Sequence, residues 1–443
     1  VPAADRGFVE RALSAATAGA LAMRKLPAYD RAQVLLRTAN LLGEQRERLA
    51  RLISTEEGKI LAEARGEVAR AIETMTLSAE ECKRLTGEVL PLDAAPGGAG
   101  KLGFTLRVPC GVVAAITPFN FPLNLVCHKI GPALAAGNAV VLKPASATPL
   151  SALALVELLL EAGLPPLGIS CITGSGTELG PAVCADARVR KISFTGSREV
   201  GQAICQAAGI KRVTMELGSN CPLIVLDDAD PTTAAQVIAS SGFANAGQTC
   251  ISTQRVVATQ RIYGELLDAL GPLVQAITVG NPLDETTRMG PMIRPAEATR
   301  VARWIGQAVE AGARVVCGGG HRGALHEPTV VADVDPSQSI SCDELFGPAV
   351  ACTRAADLDE ALRLANDSHY GLSAGILTRD LDAAMKFAHT VDAGNLHINW
   401  APQWRADLMP YGGLKESGFG REGPRYAIEE MSEFKTVVIH GLG

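Results

Sequence analysis

Apolar residues recur at helical spacing through residues 8–85, a stretch rich in Ala, Leu, Arg and Glu, and breaks at Pro27 and near Gly58 predict three helices. Residues 90–100 (LPLDAAPGGAG) carry turn chemistry, and 101–108 (KLGFTLRV) alternate apolar and polar side chains as a half-exposed strand does. From Gly111 the pattern changes. Short apolar runs at 111–116, 139–142, 169–172, 191–194 and 213–216 predict buried strands, with helical stretches near 123–135, 149–162, 177–184 and 198–208 between them. That alternation predicts a parallel, doubly wound sheet, whose ligands gather at the carboxyl ends of its strands. TPFN (117–120), KPAS (143–146), TGSG (173–176) and FTGS (194–197) stand at those ends and share one rim.

After a strand at 222–226, a helix and Cys250, a second alternating region runs to about residue 399, with strands near 255–258, 313–317, 348–352, 374–378 and 394–398. A loop rich in Trp, Pro and Gly (399–420) follows, and 434–440 closes the chain as a strand. The strands at 101–108 and 434–440 are candidates for pairing with another subunit. At 443 residues the chain predicts two or three domains rather than one core. A net charge of -6 without Lys/Arg runs argues against a nucleic-acid partner, and no run of eighteen apolar residues predicts a membrane span. No charged segment followed by an apolar one opens the chain, so a cytoplasmic location is expected. The eleven Cys form no CxxC pair and read as free thiols. No metal site is expected, because His321 and His326 lack paired Cys or carboxylates.

The stretch 215–254 carries the candidate chemistry. A strand-to-helix unit returns the thiol of Cys250 toward the carboxylate of Glu216, each near a glycine (Gly247, Gly218) that permits close backbone approach. Together they are a nucleophile and a base suited to a carbonyl. The GxGxxG fingerprint is absent, and Gly174-Ser175-Gly176 with Gly180 has the wrong spacing. Gly196-Ser197 with Gly201 opens a helix after a strand, where free N–H groups favour phosphate; a plain structural turn is the other reading. Lys143 ends an apolar strand, either to hold a ribose hydroxyl or as a surface lysine.

TPFNFP (117–122), LKPAS (142–146), FTGS (194–197), MELG (215–218), GQTC (247–250), ELFGP (344–348) and PYGGLKESGFG (410–420) resemble, in order and spacing, the aldehyde dehydrogenase superfamily over nearly the whole chain. The resemblance implies an α/β fold of two doubly wound domains plus a small β oligomerisation element. Residues 1–86 and 110–217 would bind the dinucleotide, 218–418 would be catalytic, and 87–109 with 419–443 would assemble a homodimer or a dimer-of-dimers tetramer. It implies a cofactor on a five-stranded sheet, with Lys143 and Ser146 at the adenosine ribose, Ser197 at the pyrophosphate, Glu344 at the nicotinamide ribose and Phe346 against the nicotinamide. Thr117, Pro118, Phe119, Phe194, Gly196, Val200, Leu217 and Gly218 complete the implied cofactor contacts. Ser146 stands where NAD-preferring relatives often carry an acid that repels a 2′-phosphate, so NADP or NAD, with dual use, is expected.

By the same resemblance Cys250 attacks the aldehyde, Asn120 and the Cys250 N–H meet the oxyanion, and Glu216 activates the water that hydrolyses the thioester. Phosphorylating or coenzyme A-acylating oxidation and a silent cofactor-binding scaffold are the alternatives; Glu216 disfavours the former. The substrate funnel is implied at Phe121, Asn124, Leu125 and His128, at Thr249 and Ile251, and at Trp400, Trp404, Arg405 and Tyr411. Its polarity predicts a short hydroxylated or anionic aldehyde with Arg405 at the far end. His128 equally reads as a core histidine, and Arg405 as a partner of Asp407 or Glu416. Residues 404–431 resemble a branch containing lactaldehyde, phosphonoacetaldehyde and non-phosphorylating glyceraldehyde-3-phosphate dehydrogenases; Thr249 and Phe121 depart from the members acting on phosphorylated aldehydes.

Overall fold

The computed structural model describes residues 1–441. Four helices, not three, open the chain: Arg6–Lys25, Ala28–Glu44, Arg46–Glu57 and Leu61–Cys82. The additional break falls at Gln45 (φ −100°, ψ 16°), whose non-helical ψ redirects the chain so that Leu49 and Ile53 reach the same core as Leu35 and Leu42. Gly58 ends the third helix in the left-handed region (φ 97°), as its position near a predicted break suggests.

The first sheet runs in the order Gly418–Phe419, Arg212–Glu216, Val189–Thr195, Val112–Ile116, Ala139–Lys143, Ile169–Cys171. Its last five strands are parallel, and Gly418–Phe419 adds an antiparallel edge. Helices cover both faces, which is why Val112–Ile116 and Ala139–Lys143 are buried at every position and read as uninterrupted apolar runs. The second sheet has seven strands, in the order Arg314–Cys317, Thr329–Ala332, Ala349–Ala355, Arg255–Thr259, Pro222–Val225, Ser373–Leu377, Asn395–Ile398. Only its first pairing is antiparallel. Thr329–Ala332 (TVVA) is a strand of this sheet that sequence periodicity did not anticipate.

A third sheet joins Val89–Leu90, Lys101–Pro109 and Ser432–His440. The two strands that are candidates for pairing with another subunit pair with each other within the chain, antiparallel from Lys101↔His440 to Pro109↔Ser432. The outer edge that remains belongs to Ser432–His440. Residues 442–443 of the expected 419–443 assembly segment lie outside the described residues. Among the described residues no helix is long and apolar enough to cross a membrane, and no group of three or more His, Cys, Asp or Glu is placed to hold a metal ion.

Candidate active site

The helix Pro231–Gly242 is followed by three consecutive left-handed residues, Asn245 (φ 52°), Ala246 (φ 53°) and Gly247 (φ 70°). Such backbone costs on the order of 1 kcal/mol or more at each non-glycine. Glu63 accepts the Asn245 N–H on both oxygens (3.1 and 3.2 Å), and Glu57 Oε1 accepts from Asn245 Nδ2 (2.9 Å). At Gly247 a Cβ would stand 2.0 Å from the carbonyl oxygen of Gly347. Gly247→Ala is therefore expected to destabilise the protein by more than about 1 kcal/mol, read as a lower urea midpoint at unchanged m.

This turn delivers Cys250 to an apolar cluster of Cys221, Ile251, Leu372 and Tyr411. Its Sγ lies 3.2 Å from Tyr411 Oη. Burial pushes the thiol up to about 11; the Tyr411 hydrogen bond opposes this, and the Glu216 and Glu344 charges add to it. The resting thiol is protonated at neutral pH. Asn120 donates through Nδ2 to the Gln248 carbonyl (2.8 Å), two residues before the thiol, and its Oδ1 is buried without a partner.

Glu216 ends the strand Arg212–Glu216, and both its carboxyl oxygens are buried and unpartnered. Burial, then the neighbouring Glu422, raises it well above the ordinary carboxylate range. Burial also acts on Glu422, but Lys129 (2.9 Å) and Arg405 (3.2 Å) outweigh it and hold Glu422 down. The proton of this acid pair therefore rests on Glu216.

Thr117, Pro118 and Phe119 follow one strand end, Lys143 and Ser146 the next, Gly196 and Ser197 a third, and Leu217 and Gly218 a fourth, all on the first sheet's rim. Thr117 Oγ1 is buried without a partner. Lys143 Nζ donates to the Pro144 carbonyl (3.0 Å), and burial lowers its pKa. Ser146 Oγ donates to the Gly174 carbonyl at 2.6 Å. Ser197 Oγ caps the helix Arg198–Ala208 by accepting the N–H of half-exposed Val200 (3.4 Å), while Gly196 lies against the Phe194 ring and Leu217 packs on Gly201. From the second sheet's side, Glu344 presses on Gly218, where a Cβ would meet Oε2 at 2.2 Å, and accepts the Ser219 N–H at 3.0 Å. Burial pushes Glu344 up to about 7. Phe346 (φ 46°) meets Phe119 edge-on, with centroids 5.9 Å apart. An orphaned hydroxyl, a lysine at a strand end and a glycine-led helix N-terminus on one rim fit a dinucleotide.

The wall beyond Asn120 is polar and densely bonded. Thr74 donates to Asn124 Oδ1 (2.9 Å), and His128 Nε2 donates to Asp407 (2.7 Å). Burial, then the Arg405 charge, lowers His128 to about 4; the ring is neutral, and Nδ1 accepts from Arg405 Nη2 (3.1 Å). Arg405 pairs with Glu422 and lies over the Tyr411 ring (3.9 Å), so neither Asp407 nor Glu416 is its partner. Glu416 binds Arg198 and Asp407 binds Arg70. The Arg405 side chain is 6% exposed, whereas that of Arg70 is 34% exposed. Arg70 offers Nε and Nη2 to Asp407 and stands beside Phe121 (6.0 Å). Thr249 and Ile251 are buried; Trp400 and Trp404 are exposed at the outer rim, Trp404 edge-on to His397. Sequence reading missed Arg70, Lys129 and Glu422, although a lysine inside the apolar helix Asn124–Ala135 (NLVCHKIGPALA) is itself a signal of a buried ion pair.

The model of the aldehyde dehydrogenase family matches residues 1–437. The 3-sulfolactaldehyde dehydrogenase of Priestia aryabhattai is 48% identical over 412 residues, 93% of this chain and 86% of that protein. Among solved structures, aldehyde dehydrogenase 21 from Physcomitrella patens in complex with the reaction product succinate superposes with a TM-score of 0.97 at 40% identity, covering 100% of this chain and 92% of that one. The glyceraldehyde-3-phosphate dehydrogenase GapN from Methanocaldococcus jannaschii complexed with NADP does so with 0.95 at 37% identity, covering 99% and 95%.

Proposed function

The chain belongs to the aldehyde dehydrogenase family, and from that premise we propose that it oxidises a short, singly anionic aldehyde to the free carboxylic acid through Cys250, Asn120 and Glu216. One observation carries the hydrolytic reading: Glu216 ends a rim strand as a buried carboxyl with no hydrogen-bond partner. A group so placed lacks a structural task and is free to receive a water. Bound NAD(P)+ would supply the two-electron acceptor, held by Lys143, Ser146, Ser197 and Glu344. Ser146 brings no negative charge against a 2′-phosphate, which supports use of both cofactors. The first sheet with its helices serves as the dinucleotide unit and the second as the catalytic unit; the edge of Ser432–His440 serves assembly.

Cys250 ionises, its sulfur adds to the carbonyl carbon, and the oxyanion is met by Asn120 Nδ2 and the Cys250 N–H. Loss of two electrons and a proton from the adduct leaves a thioester. Glu216, as carboxylate, then takes a proton from the attacking water, the acyl–sulfur bond breaks, and the departing Cys250 thiolate takes up that proton, which leaves the acid, the thiol and the Glu216 carboxylate.

For the substrate's acidic end, half-buried Arg70 is better placed than Arg405. Both are paired with a carboxylate, Arg70 with Asp407 and Arg405 with Glu422, but the Arg70 side chain is 34% exposed and Asp407 takes only its Nε and Nη2, whereas Arg405 is 6% exposed. The sulfonate-bearing substrate named for the Priestia relative and the succinate named for the Physcomitrella patens structure support this class. Initial rates of NAD+ and NADP+ reduction across propanal, lactaldehyde, succinic semialdehyde and 3-sulfolactaldehyde test it. Arg70→Ala is expected to raise KM for the anionic aldehydes about 10- to 100-fold, the worth of a charge-assisted hydrogen bond, and to leave propanal unchanged. Equal losses on propanal would remove Arg70 from the substrate site, and no aldehyde-dependent reduction at all would point to a silent scaffold.

A further inference from the structure

Resting on the catalytic reading above, we infer that Lys59, held by Glu67, is a positioning residue that registers the two oxyanion donors against each other. Asn120 and the Gln248 carbonyl it binds come from chain segments 128 residues apart, and something must fix their spacing. Lys59 stands between the helices Arg46–Glu57 and Leu61–Cys82, after the left-handed Gly58, and its side chain is 1% exposed. Its ammonium donates to the backbone carbonyl of Asn120 (2.6 Å) and to Glu67 Oε2 (2.5 Å), and lies 3.7 Å from the centre of the Phe121 ring. Glu67, itself fully buried, accepts the N–H groups of Leu123 (2.9 Å) and Asn124 (3.1 Å) on its other oxygen. The ion pair thus grips the loop 120–124 at three backbone points.

The same Asn120 carbonyl also accepts from Asn245 Nδ2 (3.3 Å), the first left-handed residue of the turn that delivers Cys250. One oxygen therefore joins Lys59 to both segments that bear the donors. Burying an ion pair is costly, and apolar side chains of similar volume can replace such pairs without loss of stability. Its placement against the peptide of Asn120 makes sense as preorganisation, because a displacement of about 1 Å at reacting groups costs on the order of 10²-fold in rate.

A double-mutant cycle tests this. Lys59→Met is made in the wild-type protein and in Asn120→Ala, beside the charge-neutral pair Lys59→Met/Glu67→Gln, which keeps the test open if an unpaired Glu67 unfolds the chain. Single-turnover NAD(P)+ reduction is expected to slow about 10- to 100-fold in the wild-type background and not further in Asn120→Ala. Cofactor Kd and the rate of Cys250 alkylation by iodoacetamide, which needs no oxyanion donor, are expected to stay unchanged. Equal losses in both backgrounds, or losses of Kd and alkylation rate alongside turnover, would mean that Lys59 only supports the fold. A wild-type protein without aldehyde-dependent reduction would overturn the catalytic reading itself, and this inference with it.

Discussion

Replacing Cys250 with serine is expected to lower steady-state NAD(P)+ reduction by on the order of 10⁴-fold or more, while the thermal midpoint and cofactor binding stay close to wild type. Serine fits the space and keeps a hydrogen bond to Tyr411, but its alkoxide is out of reach where even the thiol is pushed up to about 11. Burial dominates that shift, which makes the protonated thiol the resting form and gives the reaction a pH signature. Below about 11 the thiolate fraction rises tenfold per pH unit, so alkylation of Cys250 by iodoacetamide accelerates with that slope in the free protein. The other ten cysteines offer poor substitutes. Cys221, beside Cys250 with its Sγ 3.4 Å from the Cys250 carbonyl oxygen, Cys171, at the end of a first-sheet strand, and Cys352 are all pushed up to about 12 by burial. A Cys250→Ser protein retaining a tenth of the wild-type rate would show that another group is the nucleophile.

The rim was legible in the sequence because strands buried on both faces read as unbroken apolar runs, and the motifs stand where those runs end. Lys143, Ser197 and Gly218 fall at strand ends in the fold as that argument requires. Local pattern carries no such information about partners. Arg405 could be read as pairing with Asp407 or Glu416, both within eleven or so residues, yet it meets Glu422, which only the return of the loop across the first sheet explains. The bond from Lys59 to Asn120 spans 61 residues and that from Arg70 to Asp407 spans 337, separations at which no periodicity operates. Gln45 breaks a helix two residues after Gly43, a weak helix former in the last turn, and without a proline, a signal too slight to mark an end by itself. The strands at 101–108 and 434–440 were recognisable as amphipathic, but their mutual pairing is a long-range fact that alternation alone cannot supply.

Replacing Glu216 with glutamine is expected to separate the two halves of the reaction. Addition to the carbonyl and cofactor reduction need Cys250 and Asn120, so one equivalent of NAD(P)H per site should still appear in a burst. The steady rate that follows should fall about 10²- to 10⁴-fold, since the water that cleaves the thioester has lost its base. The wild-type steady rate should fall tenfold per pH unit below the raised value of Glu216, and the glutamine variant should lack that limb. Stability provides an independent check with a definite sign. Burial, then Glu422, raises Glu216 above its ordinary 4.5, so the folded chain holds this proton more tightly than the unfolded one. From about 4.5 upward to the raised value, this carboxyl makes wild-type stability fall as pH rises, and glutamine removes that contribution. The variant should therefore gain stability over wild type at pH 8 compared with pH 5, measured by urea unfolding at both. No burst, or a burst followed by undiminished turnover, would remove Glu216 from deacylation; a pH-independent stability difference would mean that its carboxyl is not held neutral by the fold.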